Sequence, residues 1–119
     1  MTCFQIFILK WNLLSDYPMK KFGLKQEHID MINQCFAQYS SVLKVVVYGS
    51  RAKGNYKNGS DIDLTIIDQG LSFSELLQIE NKLDDLLLPY KIDLSLKRQI
   101  SNSDLIEHIE RVGEVFYEK

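Results

Sequence analysis

The chain is poor in the features that mark unusual environments or partners. Its 14 lysines and arginines nearly cancel 16 aspartates and glutamates, leaving a formal net charge of -2. No global positive field is available to gather nucleic acid, so a polynucleotide is disfavoured as the main partner and any affinity for phosphate has to be local. There are only two cysteines, Cys3 and Cys35, without the paired spacing of a zinc site or redox motif. Both are expected to be reduced. Long apolar runs are missing: Cys3-Phe4-Gln5-Ile6-Phe7-Ile8-Leu9 stops at Lys10, too short to span a membrane. That run also lacks the basic start, longer apolar core and small-residue cleavage site of a signal peptide. The expectation is a cytoplasmic protein without a membrane partner.

What is present suits one soluble globular domain. The 119 residues are 45% hydrophobic and 25% charged, enough for one core but too few for a separate substrate-binding domain. Met19-Lys20-Lys21 reads as a natural start. Residues 1–18 are therefore expected to be a dispensable upstream extension, and residues 19–119 the domain.

Between Lys25 and Tyr39, apolar Ile29, Ile32, Cys35, Phe36 and Tyr39 recur every three or four residues, the stripe of an amphipathic helix. Val42 to Tyr48 is rich in β-branched residues and too short for a typical helix, which predicts a buried strand running into Gly49. The glycines, asparagines and basic residues from Gly49 to Ser60 predict a turn and loop, with room for one helical turn. Asp61 to Ile67 alternates, with Ile62, Leu64 and Ile66 on one face and Asp61, Asp63 and Thr65 on the other. Ser72 and Glu75 form a capping-box signature ahead of a helical stripe that ends before Pro89. Lys91 to Leu96 alternates again and puts Asp93 and Ser95 on its polar face. Ser103 is the expected cap of a last helix ending at Gly113, before a short apolar Val115-Phe116-Tyr117 that could form an edge segment.

The loop between strands one and two permits an antiparallel pair, whereas the helix between strands two and three implies a parallel crossover. Such crossovers are right-handed, so that helix should pack opposite the aspartates. The expected fold is α+β, with a three-stranded mixed sheet core in α-β-α-β-α-β order and helices on the face away from the site.

Asp61 and Asp63, two residues apart on one strand, lie about 6.6 Å apart along it, and Asp93 on the parallel neighbour is about 4.8 Å across. Three carboxylates on one sheet face repel each other unless something positive binds. Hard oxygen donors favour magnesium or manganese. Gly49-Ser50-Arg51, directly after a strand, offers backbone N–H groups and a hydroxyl to a phosphate, with Arg51, Lys53 and Lys57 supplying charge. Gly54 is followed by Asn55-Tyr56 instead of lysine and serine or threonine, which excludes a Walker A loop.

Gly49-Ser50-Arg51-Ala52-Lys53-Gly54, followed by Ser60-Asp61-Ile62-Asp63-Leu64 and later by Ile92-Asp93-Leu94, resembles the signature of the DNA polymerase beta-type nucleotidyltransferase superfamily. Without an additional domain, the chain is similar in particular to the minimal nucleotidyltransferase (MNT) group. The resemblance spans roughly Leu24 to Lys119. It implies a polymerase beta-like fold and a nucleoside triphosphate, ATP by preference, held by Gly49 and Ser50. It further implies two magnesium ions on Asp61, Asp63 and Asp93, with Asp93 also activating an acceptor hydroxyl. The implied partner is a helical HEPN-domain protein, adenylylated on tyrosine, the pair resembling a toxin–antitoxin module as a hetero-oligomer.

Simpler readings stand beside these. A lone Asp-x-Asp is usually a solvated strand face, and Thr65 and Ser95 are ordinary polar residues of a half-exposed sheet. His28 and His108 receive no role, and Trp11, Phe22 and Tyr39 read as packing residues. Functionally, an enzyme transferring a nucleotide to a partner stands against a non-catalytic module that binds metal or nucleotide and neutralises a helical partner by contact. Transfer to a small molecule is a further reading, and it needs an acceptor pocket supplied by a homodimer or another chain.

Overall fold

The computed structural model describes residues 21–119; the proposed extension, residues 1–18, lies outside the described residues. Helix α1 (Gln26–Ala37) leads to β1 (Val42–Tyr48), a five-residue helix α2 (Gly49–Lys53) and β2 (Ile62–Asp68). Helix α3 (Phe73–Asp85), β3 (Ile92–Leu96), a 3₁₀ turn (Lys97–Gln99), α4 (Ser103–Val112) and β4 (Glu114–Glu118) complete the chain. The sheet order is β3-β2-β1-β4.

The two expected pairings are present: β1 runs antiparallel to β2 and β2 parallel to β3. The expected sheet was one strand short. The apolar run at the C-terminus forms a full edge strand, β4, antiparallel to β1, because Gly113 ends α4 and returns the chain beside Val46. A Cβ at Gly113 would stand 2.7 Å from Val46 Cγ1 and would run into the Ile109 carbonyl.

The core lies between the sheet and α1 with α3. Ile29, Ile32, Cys35 and Phe36 of α1 and Leu76, Ile79 and Leu83 of α3 pack with Val45, Val47, Ile62, Leu64 and Ile66. These are the stripes the sequence displays, and burying a leucine-sized side chain is worth about 1.5–3 kcal/mol. The Cys35 thiol is buried, which pushes its pKa up, with Lys82 opposing. Helix α3 begins with the full capping box: Ser72 Oγ accepts from Glu75 N, and Glu75 Oε1 accepts from Ser72 N. On α4 the cap is Asn102, one residue earlier than expected, its Oδ1 accepting from the Asp104 and Leu105 amides.

The expectation that helices pack only opposite the site needs correction. Helix α4 lies on the other side, against β1 and α2: its Ile109 is buried outside the main core, and its His108 ring meets Tyr48 edge-on at 6.2 Å. The strongly one-sided stripe of Leu105, Ile109 and Val112 needs a surface to cover, and the central strands offer a second face.

Candidate active site

A lateral row of side chains crosses three strands. Tyr48, at the end of β1, is opposite Asp63 of β2, and Asp63 is opposite Asp93 of β3. Thr65 and Ser95 form the next row, where Ser95 Oγ donates to Thr65 Oγ1 at 3.0 Å. Asp61 stands one residue before β2. The Ile62 amide donates to Lys91 O at 2.8 Å, which ties the start of β2 to the approach to β3 and brings both aspartate-bearing ends together.

Gly49 closes the row from above. Its φ of +73° lies in the left-handed region, and a Cβ there would run into Asp63 Oδ2. Glycine is therefore needed twice at this point, once for the backbone and once for the close approach of the carboxylate. Ser50 follows on the first turn of α2, its carbonyl accepting from Gly54 N at 2.9 Å.

The electrostatics follow from this crowding. Burial, then the neighbouring charges of Asp93 and Asp61, push the Asp63 carboxyl above its ordinary value. The Tyr48 phenol is also pushed up, first by burial and then by Asp63 and Asp93, with the Ser95 hydroxyl opposing. Among the described residues, no three histidine, cysteine, aspartate or glutamate side chains stand close enough to enclose a metal ion by themselves. The donor set nonetheless fits magnesium: hard carboxylate oxygens only, mutually repelling, on an open face. Magnesium usually takes one or two carboxylates and completes its shell with water and substrate phosphates.

Of the residues expected to serve the phosphates, Gly49 sits against the Asp63 carboxylate with Ser50 next along the chain, while Lys53 and Lys57 are exposed. Arg51 is a correction. It is 3% exposed, and its Nε and Nη2 donate to Ser60 O at 3.1 and 2.7 Å while Nη1 donates to Phe22 O at 3.0 Å. The guanidinium also lies 5.3 Å from the Tyr56 ring and 5.0 Å from the Tyr90 ring. The turn of α2 carries this side chain inward, where it fastens the loop between α2 and β2. Conversely, His108 touches the site without any signal in the sequence: its Nε2 accepts from the Gly49 amide at 3.1 Å. The two residues are 59 positions apart, and no local pattern could have joined them.

Comparison with known proteins bears on family and fold. The family model "Polymerase beta, Nucleotidyltransferase" matches residues 30–119. A Haemophilus influenzae protein named Probable protein adenylyltransferase MntA is 31% identical over 100 residues, covering 83% of this chain and 87% of its own length. A solved toxin–antitoxin complex with AMP-PNP superposes with a TM-score of 0.61 at 18% identity, covering 76% of this chain and 73% of that one. A tri-AMPylated Shewanella oneidensis HEPN toxin in complex with its MNT antitoxin matches with a TM-score of 0.57 at 17% identity, covering 79% and 72%. At such identities the structural matches speak for the fold; the family model and the Haemophilus relative speak for descent. The chain belongs to the polymerase beta-type nucleotidyltransferase family and is a homologue of MntA.

Proposed function

We propose that this chain transfers AMP from ATP to a hydroxyl, a tyrosine by preference, on a helical HEPN-type partner in the cytoplasm, as the antitoxin half of a two-protein system. The observation that carries this reading is the position of Asp63, opposite Asp93 on the neighbouring strand, two residues after Asp61 and directly against Gly49. Phosphate-holding backbone and cation-holding carboxylates therefore share one small volume. The names of the Haemophilus relative and of the Shewanella complex supply the acceptor class.

In this reading Asp61, Asp63 and Asp93 hold two magnesium ions, which when bound neutralise the triphosphate and stabilise the attacking and leaving oxygens. Gly49 and the Ser50 hydroxyl would hold the triphosphate next to these carboxylates. Asp93, exposed on the edge strand, takes the proton of the incoming hydroxyl. The hydroxyl oxygen bonds to the α-phosphorus, the bond to the bridging oxygen breaks, and pyrophosphate leaves. Alignment of the two reactants supplies much of the rate. No acceptor pocket of this chain's own is required when the hydroxyl arrives on a partner.

Two samples of ATP, labelled at the α- or the γ-phosphate, test the reaction type on a mixture of chain and partner. Label entering the partner from the α position alone is the expected result. Label from the γ position would mean phosphoryl transfer, and no label from either would leave the carboxylates without a transfer function.

A further inference from the structure

His108 occupies a place that neither the motif nor the metal chemistry requires. It projects from α4, in the last third of the chain, and reaches the peptide where β1 turns into α2. Its Nε2 accepts the Gly49 N–H at 3.1 Å, so that nitrogen carries a lone pair and the proton of the neutral ring sits on Nδ1. The ring lies edge-on to Tyr48, the residue before Gly49, at 6.2 Å.

Gly49 needs such an anchor. Its left-handed φ is what keeps a backbone without a Cβ over the Asp63 carboxylate, yet glycine has little conformational preference of its own and reaches other regions readily. The α2 hydrogen bonds do not fix it either, since the first amides of a helix have no partner within the helix. The acceptor for the Gly49 amide is the imidazole.

We infer that His108 is a positioning residue for nucleotide binding: by accepting the Gly49 amide it holds the Gly49-Ser50 turn in register with Asp63, so that triphosphate and carboxylates meet. This rests on the proposed reading of Gly49-Ser50 as the triphosphate cradle. It assigns His108 no contact with substrate and no proton transfer.

Two substitutions separate the hydrogen bond from the packing. His108→Gln places an amide oxygen where Nε2 stands and removes the ring, whereas His108→Phe keeps the ring against Tyr48 and removes the acceptor. Binding of magnesium-ATP to the full chain, measured by titration calorimetry below each variant's melting temperature, reads the inference. AMP transfer to the partner, measured in parallel, reads the proposed function. The expected pattern is a Kd within about twofold of the parent for His108→Gln and about tenfold weaker for His108→Phe, the scale of one unsatisfied amide. Equal binding by parent and His108→Phe, or a loss in His108→Gln as large as in His108→Phe, overturns the inference. The expected binding pattern without any transfer would sink the proposed function and leave the inference standing. A parent that binds no nucleotide overturns both.

Discussion

A carboxylate placed between two others and partly covered by the fold prefers to keep its proton, and Asp63 is in that position. Its folded pKa is raised above the ordinary value of 3.8, foremost by burial and then by Asp93 and Asp61. For such a group the stabilising contribution is complete below the unfolded value and is lost as pH rises through the folded one. Metal-free protein should therefore lose stability from about pH 4 upward across the raised pKa, and magnesium should restore it. Thermal melts at neutral pH should show a clear upward shift on adding magnesium, and a much smaller one near pH 4. Asp63→Asn removes the repulsion and the ligand together. It should melt higher than the parent in metal-free buffer at neutral pH, lose the magnesium response, and transfer AMP at least about a hundredfold more slowly. Gly49→Ala tests the same contact from the other side. The methyl group meets Asp63 Oδ2 in a backbone region unfavourable to alanine, so nucleotide binding should fall with stability, by about 1–3 kcal/mol in a denaturant melt.

At the scale of elements, the ends and fastenings of helices decide how rigid the site is. Arg51 fastens the loop that carries the chain from α2 to Asp61 through bonds to Ser60 and Phe22 carbonyls. Arg51→Lys keeps the charge but loses the planar fork, and should cost about 2–3 kcal/mol, read as a shift in urea midpoint. If Arg51 acted on the triphosphate, the same variant would bind ATP poorly while melting normally. The capping box of α3 gives a calibration far from the site: Ser72→Ala should cost about 1 kcal/mol with transfer unchanged.

These elements also show what local sequence could reveal. The stripe of α1, the capping box of α3 and the alternation of β2 and β3 are properties of neighbouring residues, and each is present with ends shifted by a few positions. The inward turn of Arg51 depends on how one short helix leaves β1. The Gly49–His108 contact depends on how α4 packs across the sheet, and neither of these is written in a local period.

At the scale of the molecule, the site is an open sheet face with one covered flank. Edge strand β3 leaves Asp93 exposed, α4 covers the flank at β1, and the residues proposed to hold the nucleotide occupy one end of the strands. The pairing that sequence reasoning undercounted, β4 on β1, is the longest-range pairing in the sheet. It requires a five-residue strand at one end of the chain to find a distant partner, and its sequence offered it only as a short edge segment without naming that partner. The carboxylate row was readable because both its strands alternate and the crossover rule fixes them parallel. Its coupling to Gly49 was readable only through the motif.

In the proposed reading the open face has a functional consequence, since this chain brings the nucleotide and another protein brings the acceptor hydroxyl. Phe73 and Leu87 are exposed at opposite ends of the α3 region, 72% and 88% accessible. Asp93 is a more direct marker of where the acceptor must arrive. Asp93→Ala should therefore abolish modification of the partner by about a hundredfold or more while the two proteins still co-elute in size-exclusion chromatography.

The measurement to make is intact mass of the purified chain and of a HEPN-type partner of the proposed kind after incubation together with magnesium and ATP. The expected result is a gain on the partner in whole steps of one AMP, absent with Asp63→Ala. A stable complex whose partner gains no mass with any of the four nucleoside triphosphates would contradict it.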